Sequence, residues 1–303
     1  MIKIRKFLLQ SLLTLFGILP LRVHYVLADF VGFIAHRVAR YRVDVVMRNL
    51  RGSFPDASEK DLKRICRDFY RHFGELVAEA VWFGACRNPE RLRRSRIVEI
   101  ANPECIKSVY DSSPSVVVMY SHCGNWELLG GVSSYNYTDV ENCFNEGNYC
   151  VVYKKMSSAV WDALMRDNRF APLEDRDAFE GYIETNSLIR YVLSHRDEKK
   201  IYNINTDQRP YHSARGTVPV HFLHRDCTSM AAAANIAAKF GFAVMYQRMT
   251  RDRRGHYTIE YIPICADART MPAEEIMQKY YDLLTADIEA QPANYLWTHK
   301  RWK

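Results

Sequence analysis

Eight cysteines are scattered through 303 residues without a single C-x-x-C pair. In a chain this long, that count does not build a disulfide scaffold, and the spacing does not build a zinc site. Reduced, partly buried thiols are the expectation, and with them a body that faces the cytoplasm. No glycine-rich loop that would cradle a phosphate is present, and no metal cluster of convincing spacing, so neither a bound cofactor nor a metal is expected. No internal repeat, low-complexity tract or long linker divides the chain. A composition of 48% hydrophobic and 25% charged residues excludes disorder, collagen-like repeats and coiled coil.

Charge of one sign is also missing over most of the length. Residues 52–303 carry 33 basic and 33 acidic side chains, which excludes a protein coating nucleic acid through a uniformly basic surface. The whole net charge of +7 lies in residues 1–51, where nine Lys/Arg face only Asp29 and Asp44. The most apolar stretch lies there too. Phe7–Leu21 is apolar over fifteen residues between Lys6 and Arg22, and Phe30–Ala35 follows. As a helix the first piece reaches roughly 22 Å, short of a hydrocarbon core of ~30 Å. An interfacial anchor accommodates the short length, the flanking Arg residues and Asp29 together. A cleaved signal peptide ending near Val26-Leu27-Ala28, a full membrane span and a buried soluble helix are the alternatives. Residues 1–51 are therefore read as an apolar and basic membrane-anchoring segment, and 52–303 as the functional body.

In that body, Ser58–Cys86 has apolar residues at steps of three and four (Leu62, Ile65, Phe69, Phe73, Leu76, Ala80), and Ser58-x-x-Asp61 resembles a capping box. After Pro89, short β-branched runs alternate with helical stretches. Strands are expected at Val116–Tyr120, Cys150–Tyr153, Ile201–Ile204, Val218–Phe222, Phe242–Gln247 and Tyr257–Ile264. Helices are expected near 126–135, 157–168, 180–194 and 228–240, the last capped by Thr228 or Ser229 and ended by Gly241, and a further one runs from Pro272 to Ala290. Such alternation makes an α/β fold with a sheet covered by helices.

The densest signal is Ser115–Leu129, SVVVMYSHCGNWELL. An apolar strand ends at Tyr120 and a turn leads straight into a helix, the place where α/β sheets bind ligands. Gly124 permits a tight turn. Across that turn Glu127 can fold back toward His122, fixing its tautomer, stabilising the imidazolium and leaving the other ring nitrogen as a base. A hydrogen-bonded structural histidine is the alternative, and a Cys123 nucleophile or half a metal site a more distant one.

The box HCGNWE after VVVMY resembles the signature of the bacterial lipid A late acyltransferases, the lipid A/lysophospholipid acyltransferase family of lauroyl and myristoyl transferases. The resemblance continues through VVMRNLRGSFPD (45–56), VVYKKMSSAVWDALMRDNRF (151–170), INTDQRP (204–210), GTVPVHFL (216–223), TSMAAAANIAAKFGFAVM (228–245) and YLWTHKRWK (295–303). It spans essentially the whole chain. Cys123, His221 and His224 depart from the family's pattern. The resemblance implies a mixed β-sheet flanked by helices, glycerolipid-acyltransferase-like, with an N-terminal membrane-anchoring helical segment. It implies an acyltransferase at the cytoplasmic face of a bacterial inner membrane. Its partners would be an acyl carrier protein bearing the donor chain, a lipid A precursor and membrane lipids, with no nucleic acid. The acceptor would be the hydroxyl of a 3-hydroxyacyl chain on that precursor. His122 would be the base and Glu127 its orienting carboxylate.

Around that pair, Arg166 and Arg169, three apart on a helix, suit recognition of a substrate phosphate, or a solvated face paired with Asp162 or Asp167. Asp207-Gln208 resembles the family's Asp-Gln pair and would hold the active-site turn or the sugar, unless it is an ordinary polar turn before Pro210. Asn125 and Trp126 would shape the turn and pack beneath His122. Trp297–Lys303 alternates aromatic and basic residues, suited to a headgroup layer or to packing on the core. Another amphiphile, such as an aminolipid or a glycolipid, is an alternative acceptor. An inactive membrane-associated lipid-binding module and a Cys-dependent hydrolase are the readings from other classes.

Overall fold

The run at 116–120 has no polar position, the pattern of a strand covered on both faces. In the computed structural model, which describes residues 11–173, 179–210 and 216–302, it is the central strand of seven. The sheet order is β1 (Val98–Ile100), β9 (His256–Cys265), β8 (Ala243–Arg253), β2 (Val116–Tyr120), β5 (Ile201–Asn205), β3 (Tyr149–Tyr153) and β4 (Tyr182–Glu184). From β8 to β4 every pairing is parallel; β9 runs antiparallel to β8, and β1 is parallel to β9. The sheet is mixed and flanked by helices, as the sequence pattern implies.

Alternation along β2 divides the interior in two. Val117 and Met119 face a core completed by α9 (Ala232–Phe240) and α10 (Ala273–Ala290). Val116, Val118 and Tyr120 face a second core with Leu128, Leu129 and Val132, from a 3-10 helix over Trp126–Ser134. The short helices α5 (Pro89–Ser95) and α6 (Pro103–Ser112) contribute Leu92 and Ile106 to that second core. Beside it runs α7 (Ala159–Arg169), and α8 (Leu188–Ser194) gives Leu188 and Val192 to the first core.

Two expected helices are shorter than their sequences suggest. The stretch expected to be helical from 180 begins with the edge strand β4, whose Tyr182 ring stacks on Tyr153 with centroids 3.7 Å apart, and becomes helical only at Leu188. The helix expected from 228 starts at Ala232, because Thr228 and Ser229 belong to β7 (Asp226–Met230), which pairs with β6 (Thr217–His221) in a separate hairpin. Its two central turn residues, Leu223 and His224, have φ of 48° and 61°. Two left-handed residues are the geometry a tight hairpin favours, usually signalled by Asn-Gly; here no such signal exists. Gly241 does end α9, at φ +69°.

The N-terminal part is built on α4 (Glu59–Phe83), whose first turn is capped by Ser58 Oγ accepting from the Asp61 amide at 3.2 Å. The apolar stretch breaks before Pro20, giving α1, described over Ser11–Gly17, and α2 (Leu21–Phe33). A π-turn (Ile34–Val38) and α3 (Val43–Ser53) follow. Small residues let α2 lie almost backbone-on-backbone against α4: a Cβ on Gly74 would come within 2.1 Å of the Ala28 carbonyl oxygen, and one on Gly32 within 2.5 Å of that of Tyr70. The opposite side of α1 and α2 leaves Leu12, Leu15, Phe16, Val23, Val26, Phe30 and Phe33 exposed. Among the described residues no single helix is long and apolar enough to cross a membrane; Ser11–Gly17 with Leu21–Val38, bent by 115°, passes the length and composition test only as a pair.

Because the α2–α4 contact has no room for a side chain, Gly74→Leu is expected to cost about 1–3 kcal/mol through overpacking. Urea unfolding should show an earlier midpoint, with faster tryptic cleavage at Arg22 and Arg37; an unchanged midpoint would contradict this packing.

Candidate active site

Parallel pairing sets Tyr120, the last residue of β2, opposite Asn205, the last of β5. The Thr206 amide donates to the Tyr120 carbonyl at 3.0 Å and carries the ladder one step further. Residues two positions beyond each strand end are thereby brought together, and they are His122 and Asp207. The His122 Nδ1 lies 2.7 Å from Asp207 Oδ1, and the His122 backbone amide donates to Oδ2 at 3.3 Å. The Asn205 amide nitrogen is 3.4 Å from the same Nδ1, and the Gln208 amide nitrogen is 3.2 Å from Nε2. A carboxylate at Nδ1 selects the tautomer with the proton there and leaves the Nε2 lone pair free. The Asp207 side chain is 2% exposed. Burial alone would raise its carboxyl, but the charge and hydrogen bonds of His122 hold it below the ordinary carboxylate range.

The orienting carboxylate is thus not the one expected from proximity in sequence. Glu127 makes its hydrogen bonds elsewhere. It accepts from Arg169 Nε at 2.7 Å and from the other Arg169 terminal nitrogen at 2.9 Å, a bidentate pair, and from Trp126 Nε1 at 3.0 Å. The 3-10 helix turns Glu127 toward α7, and Gly130 lets α7 close in: a Cβ there would sit 1.6 Å from the Arg169 carbonyl oxygen. Burial would raise Glu127, yet Arg169 keeps it low, so a second ionised carboxylate remains within electrostatic range of His122.

Arg169 spends its fork on Glu127 and donates to the Tyr182 hydroxyl at 3.1 Å, so the structure gives it an internal anion in place of the expected phosphate. Arg166, one turn earlier on α7, is exposed, whereas Arg169 is half-buried. Trp126 sets its ring edge-on to His122, with centroids 4.7 Å apart. Asn125 is buried beneath the turn and outside the cavity, where its amide donates to Glu79 Oε2 at 2.8 Å. Cys123 is buried in the core, and burial pushes its thiol up, the reverse of what an attacking thiolate needs.

The turn is clamped from behind. Gly124 adopts φ +66°, and a Cβ there would meet Met249 Cγ at 2.7 Å. The C-terminal segment bonds to it as an added strand would: the Leu296 amide donates to the His122 carbonyl at 3.1 Å, the Gly124 amide to that of Asn294 at 3.0 Å, and Cys123 bridges Tyr295. Of the two placements expected for Trp297–Lys303, the core one holds for Trp297, which is fully buried.

In front of His122 opens a cavity of about 210 Å³. Its mouth holds His122, Trp126, Arg169 and Gln208, and its walls include Leu129, Val151, Phe170 and Leu188.

Below the turn lies a carboxylate that the sequence pattern did not single out. Glu79 is fully buried on α4 and accepts from the Asn125 amide and the Tyr257 hydroxyl at Oε2 and from the Tyr25 hydroxyl at Oε1, each at 2.8 Å. Glu75, one turn earlier, is also fully buried and is paired with Arg251 and Arg254. Acidic residues four apart beside Leu76 and Ala80, on a face otherwise bound for the core, were the available signal.

Parallel strands that carry an oriented imidazole to a largely apolar cavity give an α/β protein a candidate active site at its strand ends. Residues 2–303 match the model of a family described as bacterial lipid A biosynthesis acyltransferase, and the chain belongs to that family. It is an acyltransferase of lipid A biosynthesis. A comparison with individual curated proteins found no match.

Glu79 makes stability depend on pH. Burial raises its carboxyl from 4.5 to about 7, against the lowering effect of its three donors, and the neighbouring Glu75 charge adds to the rise. The fold therefore keeps a proton that the unfolded chain has lost, so stability falls as pH rises from about 4.5 to about 7. In Glu79→Gln that decline should flatten, as Asn125 can turn its unpartnered carbonyl toward the new amide. Thermal midpoints of both proteins from pH 4.5 to 8 test this; parallel curves would refute it.

Proposed function

We propose that the protein moves a fatty acyl chain from an acyl carrier protein thioester to the hydroxyl of a 3-hydroxyacyl chain on a lipid A precursor, with His122 as general base. The observation that carries this reading is the Nε2 of His122 at the cavity mouth, its opposite nitrogen held by Asp207. The acceptor hydroxyl takes the place of the Gln208 amide at Nε2 and gives up its proton as its oxygen bonds to the thioester carbonyl carbon. The carbon–sulfur bond then breaks, and the proton passes from Nε2 to the departing thiolate. Gln208 remains beside the reaction as a donor for the carbonyl oxygen. Asp207 holds the imidazolium by hydrogen bond, and Glu127, fixed by Arg169, supports it through charge alone. No enzyme nucleophile is needed, because a thiolate leaves readily.

Residues 1–51 serve in this reading as the anchoring segment and 52–303 as the acyltransferase domain. The exposed apolar side of α1 and α2, in a segment whose sequence carries nine basic residues, suits an interfacial attachment to the cytoplasmic face of the inner membrane.

Mixing detergent-solubilised protein with acyl carrier protein thioesters and a tetra-acylated precursor should add one acyl mass to the product. His122→Ala should lose that mass, and Asp207→Asn should lower kcat by ~10²-fold or more, since the wrong tautomer then faces the hydroxyl. Full activity in Asp207→Asn would remove Asp207 from the mechanism, and an added mass in His122→Ala would end the general-base reading.

A further inference from the structure

One polar side chain on the cavity wall takes no part in this chemistry. Asn203 lies on β5 between Val118 of β2 and Val151 of β3, both on the apolar face that borders the cavity. It lines the cavity and is 1% exposed, yet neither its amide nitrogen nor its amide oxygen has a hydrogen-bond partner. Three hydroxyls there are served within the chain: that of Tyr149 donates to the Leu129 carbonyl, that of Thr185 to the Tyr153 carbonyl, and that of Thr206 to the Ile204 carbonyl. Among the described residues that line the cavity, Asn205, two residues along the same face, shares the condition in part, its amide oxygen being unpartnered while its nitrogen lies beside His122.

A buried amide left without partners costs free energy, and the site that keeps one is shaped for a ligand that completes it. Asn203 sits about 7 Å deeper than Asn205, two steps back along the strand. The thioester carbonyl must stand at His122, so Asn203 faces the part of the donor chain beyond that carbonyl. A plain methylene chain would leave both amide atoms unsatisfied. A hydroxyl can donate to Oδ1 and accept from Nδ2.

We infer that the preferred donor is a hydroxylated acyl chain, with its hydroxyl on one of the carbons next to the thioester and hydrogen-bonded to Asn203. The inference rests on the acyl-transfer reading above and leaves its bond changes untouched: the donor hydroxyl is bound and does not react. A wall built to bond a hydroxyl discriminates strongly against the chain that lacks it.

The test is competition between donors of equal length, dodecanoyl against 2-hydroxy- and 3-hydroxydodecanoyl carrier thioesters, read by product mass. Wild-type protein should favour one of the hydroxylated donors by about tenfold or more. In Asn203→Leu, nearly the same shape without the polar atoms, that preference should fall to parity or reverse. The unliganded variant should melt no lower than wild type, since a stranded amide has been removed. Plain dodecanoyl transferred as well as or better than both hydroxylated donors would overturn the inference and leave acyl transfer standing. So would a preference that survives Asn203→Leu. Transfer from none of the three would overturn the acyl-transfer reading and this inference with it.

Discussion

The site depends on the register between β2 and β5. Neither strand itself carries His122 or Asp207; each delivers one of them two residues past its end, and the parallel ladder sets both overhangs level. A one-residue slip would turn every side chain of β2 to the opposite face. Val117 and Met119 would leave the core they share with α9 and α10, and Tyr120 would leave the cavity. The hydrophobic division of the sheet and the His122–Asp207 contact are therefore fixed by the same choice of register, so the burial of two cores holds the hydrogen bond at the strand ends in place.

Around that contact the polar groups are arranged by burial. Asp207 bonds the imidazole directly, Glu127 is held ionised in a pair with Arg169 a short distance away, and Glu79 sits beneath the turn among three neutral donors. Three carboxylates near one histidine would repel one another if all were charged and close. One is held by a hydrogen bond to the histidine, one is paired with an arginine, and burial favours the protonated form of the third.

Much of this was legible in the sequence. The strand Val116–Tyr120, the turn with His122 and Gly124 and the long helices α4 and α10 follow from local pattern, while the Asp207-Gln208 pair was marked only by the family resemblance. What was not legible is contact over distance. Glu127, five residues from His122, was the natural partner to choose, whereas the true one is 85 positions away and is reached only through strand register. Arg169 read as a phosphate ligand because its internal anion lies on another element. The hairpin at Leu223 and His224 lacked the glycine or asparagine that marks such turns, and Glu79 was hidden within an amphipathic helix by its apolar neighbours.

The surface helix α2 is joined to this centre more closely than its apolar exterior suggests. Its inner side gives Tyr25 to Glu79 and Asp29 to Arg254, and its glycine-to-glycine seam with α4 has no slack. Whatever tilts that helix pulls, through one carboxylate, on the asparagine that props up the turn carrying His122. An engineer who cuts the segment away to gain solubility would take one of the turn's supports with it, and what remained would be a differently braced enzyme.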